Sequence, residues 1–255
     1  YCACPILALT GTNGKTTTVE LLTHCLRRAG YRAAAAGNIG LPLCEVARRS
    51  HALDVLVVEV SSFQLEGVDR FAPLAAAILN VTPDHLDRHG SMDRYLEAKL
   101  RLLRNLAGAE RAVLRADLAR LDAARAALPA GVPLTFAAED DGRSAYVGTA
   151  DGQLCRRRQD GVEPLVATAA LPFHGRHNHE NILAALALAE AGGFDPRILA
   201  PHVRSFSVGQ HRLETVAVAG GIRFVNDSKA TNPDAMLRAL DVVAGNDGRP
   251  NVLLI

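Results

Sequence analysis

Thr10-Gly11-Thr12-Asn13-Gly14-Lys15-Thr16-Thr17 decides how the rest of the chain is read. An apolar run, Ile6-Leu7-Ala8-Leu9, enters it, and a helical pattern from Val19 to Leu26 leaves it. Strand, glycine-rich turn and helix are the context that a phosphate-binding loop requires. The glycines allow successive backbone N–H groups to face an anion, and the helix N-terminus adds partial positive charge. Lys15 can reach the β- and γ-phosphates of a nucleotide, and the Thr16 hydroxyl can ligate Mg²⁺. Leu9 stands where the longer form of the motif has its first glycine, so the loop is the shorter variant G-T-N-G-K-T-T.

Further apolar runs end in polar clusters. Tyr31 to Ala36 reads as a strand that delivers Gly37-Asn38-Ile39-Gly40. Asn38 there is either a turn former or a group at the ligand-binding edge of an open α/β sheet. Leu53 to Val60 reads as a buried strand carrying Glu59 near its end. A carboxylate in that place is costly unless it meets a cation, and an acidic residue on a strand beside a phosphate loop commonly holds Mg²⁺. Ala75 to Val81 delivers Thr82-Pro83-Asp84-His85-Leu86-Asp87-Arg88-His89, where His85 could ligate a metal or hold a substrate anion. Ser91 to Leu106 is a helix with Ser91 as its N-cap; Lys99 lies beside the apolar face, a position from which lysine usually reaches water.

Arg111 to Arg115 reads as a strand and Leu118 to Leu128 as a helix. From Thr135 to Leu171 short alternating runs broken by glycine suggest an antiparallel hairpin layer, with Arg156-Arg157-Arg158 on a solvated hairpin. Three histidines and two asparagines then precede the helix 182–191. Asn178 and Asn181 are three apart, and amide side chains can read an adenine edge; Asn178 alone could equally cap the helix. Zinc is excluded there for want of a ligand set with the right spacing. Pro196 to Phe206 is a short helix and 207–214 a linker. A hairpin around Gly220-Gly221, a helix from Asp234 to Val243 that Pro233 starts, and a strand 252–255 complete the pattern.

The bulk composition limits the alternatives. At 49% apolar content, 255 residues can build a sizeable core, and a net charge of +1 gives no field toward nucleic acid or a membrane surface. No apolar run approaches the roughly 18 residues of a membrane span, and no signal peptide is visible. Five scattered cysteines read as free thiols of a reducing compartment. The opening so close to a core strand, and the close on Val252-Leu253-Leu254-Ile255, suggest a piece of a longer protein.

Taken together, the blocks resemble the Mur ligases, ATP-dependent amino-acid ligases of peptidoglycan synthesis. The matching motifs are G-T-N-G-K-T-T at 11–17, G-N-I-G at 37–40, E-V-S-S-F-Q-L-E at 59–66 and N-V-T-P-D-H-L-D-R-H at 80–89. Y-L-E-A-K at 95–99, H-N-x-x-N at 177–181, H-R-L-E at 211–214 and N-D-S-K-A-T-N at 226–232 follow in family order. S-S-F-Q-L-E and N-D-S-K-A-T-N favour the glutamate-adding branch. The resemblance implies an α/β fold. It implies a phosphate-loop ATP-binding domain over 1–208, with a mostly parallel sheet flanked by helices plus a small antiparallel layer, then a linker at 209–213 and the start of a Rossmann-like C-terminal ligase domain at 214–255. It implies ATP and Mg²⁺, with Gly11, Thr12, Asn13, Gly14, Lys15, Thr16 and Thr17 around the phosphates and Asn178 and Asn181 at the adenine. Arg212, Asp227 and Lys229 would close over the nucleotide. Thr16, Glu59, His85 and a carbamylated Lys99 would serve the metals, with Lys15, Lys99 and His85 as the catalytic set. Asn38, Ser61 and His85 would contact the substrate. The implied substrates are UDP-muramoyl-alanine and glutamate, joined through an acyl phosphate by a cytoplasmic monomer without nucleic-acid partners. The 255-residue piece alone is expected to bind ATP weakly and not to ligate. The rival readings are a sister ligase such as folylpolyglutamate synthase, and a nucleotide-binding switch without ligase chemistry.

Overall fold

The computed structural model describes residues 2–173, 175–243 and 252. In chain order it begins β1 (Ile6–Thr10), α1 (Lys15–Arg28), β2 (Ala33–Gly37), α2 (Leu43–Ala47), β3 (Val55–Glu59), α3 (Ser62–Glu66) and β4 (Ala75–Ile78). Next come α4 (Leu86–His89), α5 (Met92–Leu100), β5 (Ala112–Arg115), α6 (Asp122–Ala127), β6 (Leu134–Ala137), β7 (Tyr146–Gly148), β8 (Gln153–Arg158) and β9 (Gly161–Ala167). It closes with α7 (Arg176–Ala191), α8 (Pro196–Leu199), β10 (Glu214–Ala219), β11 (Ile222–Asn226) and α9 (Pro233–Val243). The strand expected at 252–255 lies outside the described residues, Val252 apart.

One nine-stranded sheet runs in the order β2-β3-β1-β4-β5-β6-β7-β8-β9. Its first seven strands are parallel, and β8 and β9 are antiparallel. The antiparallel pairing expected after residue 135 therefore extends the edge of the main sheet instead of forming its own layer, and β6 and β7 join as parallel strands. Arg156 on β8 is mostly buried and pairs with Glu190 of α7, where the sequence suggested a solvated hairpin. β10 and β11 form a separate two-stranded sheet.

Alternate residues of the buried strands feed two cores. Leu7, Leu9, Val55 and Val57 face α1 and α7; Ala8, Leu56, Val58 and Ile78 face Leu65, Leu100 and Leu103. Each fully buried Leu or Val contributes about 1.5–3 kcal/mol, which favours this two-sided burial over a half-exposed sheet. α7 is buried on nearly all sides, and its alanines at 184, 185, 187 and 189 leave room for that. Ser61 and Ser91 cap α3 and α5, the second as its sequence position predicts. Among the described residues no helix is long and apolar enough to cross a membrane, and all five cysteines are free.

β1 lies between β3 and β4 although both follow it in sequence. Three neighbouring parallel strands thus present their C-terminal ends at one edge, next to the position where connections leave in opposite directions. That crevice is where open α/β sheets bind ligands.

Candidate functional site

The loop after β1 is held by residues far from it in sequence. Thr12 N donates to the Asn80 backbone oxygen at 3.0 Å and to Asn80 Oδ1 at 3.1 Å. Asn13 N donates to Asn80 Oδ1 at 2.9 Å, and Asn80 Nδ2 donates to Asn13 O at 3.0 Å. The Thr12 hydroxyl turns inward, 3.1 Å from Thr82 O and 3.2 Å from Tyr95 Oη. The amides of Thr12 and Asn13 are therefore engaged by the scaffold. The first turn of α1, whose N–H groups have no intrahelical acceptor, is left to face an anion. Gly14 makes the corner at φ 83°, and a Cβ there would lie 2.3 Å from Asn181 Oδ1. Both the left-handed backbone and the close approach of α7 demand glycine.

Two lysines converge on this loop. Lys15 Nζ donates to Gly11 O at 3.0 Å and to Thr12 O at 2.8 Å. Lys99 Nζ donates to Gly11 O at 2.9 Å, 88 residues away in sequence, and lies 4.4 Å from the centre of the Tyr95 ring. Lys99 is 1% exposed. Burial, aided by the charge of Lys15, pulls its pKa down to about 7. Burial also lowers that of Lys15, with Glu59 and Asp84 opposing. The helix pattern alone gave no sign of this, because a lysine at the border of an apolar face ordinarily reaches water.

Glu59 ends β3 in register with Leu9 of β1 and Gly37 of β2. It is 2% exposed. The Thr16 hydroxyl donates to its Oε2 at 2.9 Å and Asn38 Nδ2 to its Oε1 at 2.9 Å. Among the described residues no ion-pair partner reaches it. A buried carboxylate with two neutral donors is short of positive charge, and a hydroxyl beside a carboxylate is a hard oxygen set. Thr16 and Glu59 thus fit a Mg²⁺ ion that takes few protein ligands and completes its shell with phosphate and water. Asn38 acts here on Glu59 and Ser61 as the cap of α3, in a capping box with Gln64.

His85, Phe63, Ser61, Asn38, Lys15 and Lys99 line a small pocket of about 130 Å³. His85 has a left-handed backbone, φ 53°, and its imidazole is half exposed, 4.9 Å from the Phe63 ring. Sequence reasoning passed over His89 behind it. That ring is buried, stacks on Phe63 at 5.6 Å and bonds Ser62 Oγ at 3.0 Å. The close packing lowers its pKa.

On the other side of the loop a cavity of about 570 Å³ is bounded by Asn13, Gly14, Asn178, Asn181, Arg212 and Lys229. Asn178 lies in the first turn of α7, not at its cap, which is Gly175. Asp227 Oδ1 accepts from Leu213 N at 3.0 Å and Lys229 N donates to His211 O at 3.2 Å, so this segment grips the linker. A broader cleft, about 1050 Å³, lies between Arg115, Arg176 and Arg238. Its arginines are already paired with Asp117, Glu139 and Asp234, and the phosphate-type loop is not in its wall. The narrower cavity and pocket, which flank the loop, form the candidate site.

A family model described as Mur ligase middle domain matches residues 9–189. The chain is 42% identical over 252 residues to the UDP-N-acetylmuramoylalanine--D-glutamate ligase of Pelotomaculum thermopropionicum, covering 98% of this chain and 54% of that protein. It is 41% identical over 245 residues to the ligase of the same name from Acidobacterium capsulatum, covering 94% and 52%. The chain spans about half the length of these relatives. In fold it is similar to MurF from Acinetobacter baumannii, with a TM-score of 0.74 at 24% identity over 94% of this chain and 54% of that one.

Proposed function

Because the chain belongs to the Mur ligase family, we propose that it supplies the ATP site of a ligase joining D-glutamate to UDP-N-acetylmuramoyl-L-alanine. ADP and phosphate are released, in the cytoplasm, during peptidoglycan synthesis. The observation that carries this reading is the convergence of Lys15, Lys99, Thr16 and Glu59 on one loop at the sheet edge. The amino acid and acceptor are taken from the relatives' names. Residues 214–243, whose hairpin stands apart from the main sheet, would begin a second ligase domain.

The α1 amides and Lys15 receive the triphosphate, with Asn178 and Asn181 beside the base and Arg212, Asp227 and Lys229 over it. Thr16 and Glu59 would hold Mg²⁺, with His85 and Lys99 toward a second ion. When bound, the metal offsets phosphate charge and polarises the transferred group. The acceptor carboxylate, near Asn38, Ser61 and His85, attacks the γ-phosphorus; its O–P bond forms as the bond to the β–γ bridging oxygen breaks and ADP leaves. The Lys15 ammonium opposes the charge that builds on the transferring phosphoryl group. The glutamate amine then bonds the acyl carbon, loses a proton, and expels phosphate. An amine with a pKa near 7 is substantially neutral at physiological pH, which supports Lys99 as the nucleophile toward CO₂ that yields a carbamate.

The test is phosphate release by the intact gene product with ATP, Mg²⁺, UDP-N-acetylmuramoyl-L-alanine and either D- or L-glutamate. Release that requires the muramoyl substrate and D-glutamate is expected. Release with L-glutamate alone would change the amino acid, and none in either lane would overturn the assignment.

A further inference from the structure

Asn13 sits at the tip of the nucleotide loop and is clamped from two directions. Asn80 holds its backbone, as described above. Its side chain meets a residue 219 positions later. Asn232 Nδ2 donates to Asn13 Oδ1 at 3.0 Å, and Asn13 Nδ2 faces Asn232 Oδ1 at 3.4 Å, a head-to-tail amide pair. Asn13 Nδ2 also donates to Asp234 Oδ2 at 2.8 Å, and the Thr82 hydroxyl reaches the same oxygen at 3.3 Å. Asn232 Nδ2 donates in addition to Asp84 Oδ2 at 3.1 Å. Its Oδ1 accepts from Ala235 N at 2.9 Å and so caps α9. Asn232 is buried. Three loops, those after β1, β4 and β11, thus meet at one carboxamide.

Few side chains can do this. The group must donate to Asn13 and Asp84 while accepting from Ala235, so it needs both an amide N–H₂ and an oxygen. Aspartate would keep the cap and lose the donor, setting a third carboxylate beside Asp84 and Asp234. Serine would keep the cap and fall short of Asn13. The helix-capping role and the loop-holding role are separable by substitution.

We propose that Asn232 is a positioning residue for the nucleotide: through Asn13 it fixes the tip of the phosphate-binding loop, so that phosphate affinity depends on the segment following the β10–β11 hairpin. This rests on the ATP-site reading above. Asn232 touches no reacting group and acts through Asn13. Closure of the later segment and order in the loop are then one event, and nucleotide bound to the ordered loop favours the docked segment in return.

The experiment uses the intact gene product and its Asn232→Asp, Asn232→Ser, Asn13→Ala and Asn13→Ala/Asn232→Ser variants. Mg²⁺–ADP is titrated by calorimetry, and amide hydrogen exchange is followed over residues 11–17. Both Asn232 variants should weaken Mg²⁺–ADP about tenfold, the cost of freeing two polar contacts. Melting should move by no more than about 4 °C, because the cap is kept. The double variant should bind within about twofold of Asn13→Ala alone, since both act on one contact. Loop amides should exchange faster in both Asn232 variants without nucleotide. Unchanged affinity, or losses that multiply in the double variant, would overturn the proposal and leave the ATP site standing. If the unmodified intact protein takes no Mg²⁺–ADP, the ATP-site reading fails, and the exchange data alone decide whether Asn232 holds the loop: unchanged exchange rejects it.

Discussion

Lys15 and Lys99 share one acceptor: both ammonium groups donate to the Gly11 carbonyl oxygen, at 3.0 and 2.9 Å. Two buried cations on one oxygen repel, and both pKa values are lowered, first by burial. Their stability cost should be visible in titration. Lys99 titrates near 7 folded and near 10.4 unfolded, so between those values the unfolded chain binds more protons. Stability should therefore rise with pH across that window, and the penalty is fully present below pH 7. Relative to Lys99→Met, the unmodified chain in CO₂-free buffer should gain up to about 2 kcal/mol between pH 7 and 9. Parallel denaturation curves for the two proteins would contradict this.

Glu59 should control metal-dependent binding more than folding. Glu59→Gln retains a partner for Thr16 and removes a buried charge that has no ion-pair partner among the described residues. The chain should fold at least as well, while the gain in ADP affinity on adding Mg²⁺ should shrink about tenfold or more. Calorimetry with and without Mg²⁺ checks both halves.

Gly14 should be irreplaceable for two separable reasons. Gly14→Ala places a methyl 2.3 Å from Asn181 Oδ1 and strains a backbone at φ 83°. We expect about 2–3 kcal/mol of destabilisation. Adding Asn181→Ala should relieve the clash and leave only the backbone cost, about 1 kcal/mol. Failure of the second substitution to restore any stability would locate the whole effect in the backbone.

Asn80→Ala should damage the loop from the opposite side to Asn232. It removes the acceptor of Asn13 N and a donor to Asn13 O inside the fold. A loss of about 2–3 kcal/mol in unfolding free energy is expected. Asn80→Asp keeps the acceptor and should recover part of it. Chemical denaturation of the three proteins measures the difference.

The segment 11–17 fixed the order strand, loop, helix in the sequence, because its glycines and its flanking apolar periods allow little else. The buried strands were legible for the same reason: continuous runs such as Val55–Val58 suit only a sheet covered on both faces. Glu59 was legible as a carboxylate closing a buried strand, and it is buried there. The cap Ser91 was legible because its effect is local, reaching Arg94 N three residues on. Composition and spacing could not reveal Lys99, Asn80, His89 or Asn232, whose roles depend on partners up to 219 positions away. The antiparallel strands after residue 135 were legible as such, but not their attachment to the edge of the main sheet, because alternation along a strand reports its faces and not its neighbour. Local chemistry is written in local sequence, so the chain by itself determined its elements and the glycine-containing loop between β1 and α1. Only the tertiary structure decided which distant polar groups desolvate together, since hydrogen bonds and pKa shifts arise from juxtaposition, which no single segment encodes.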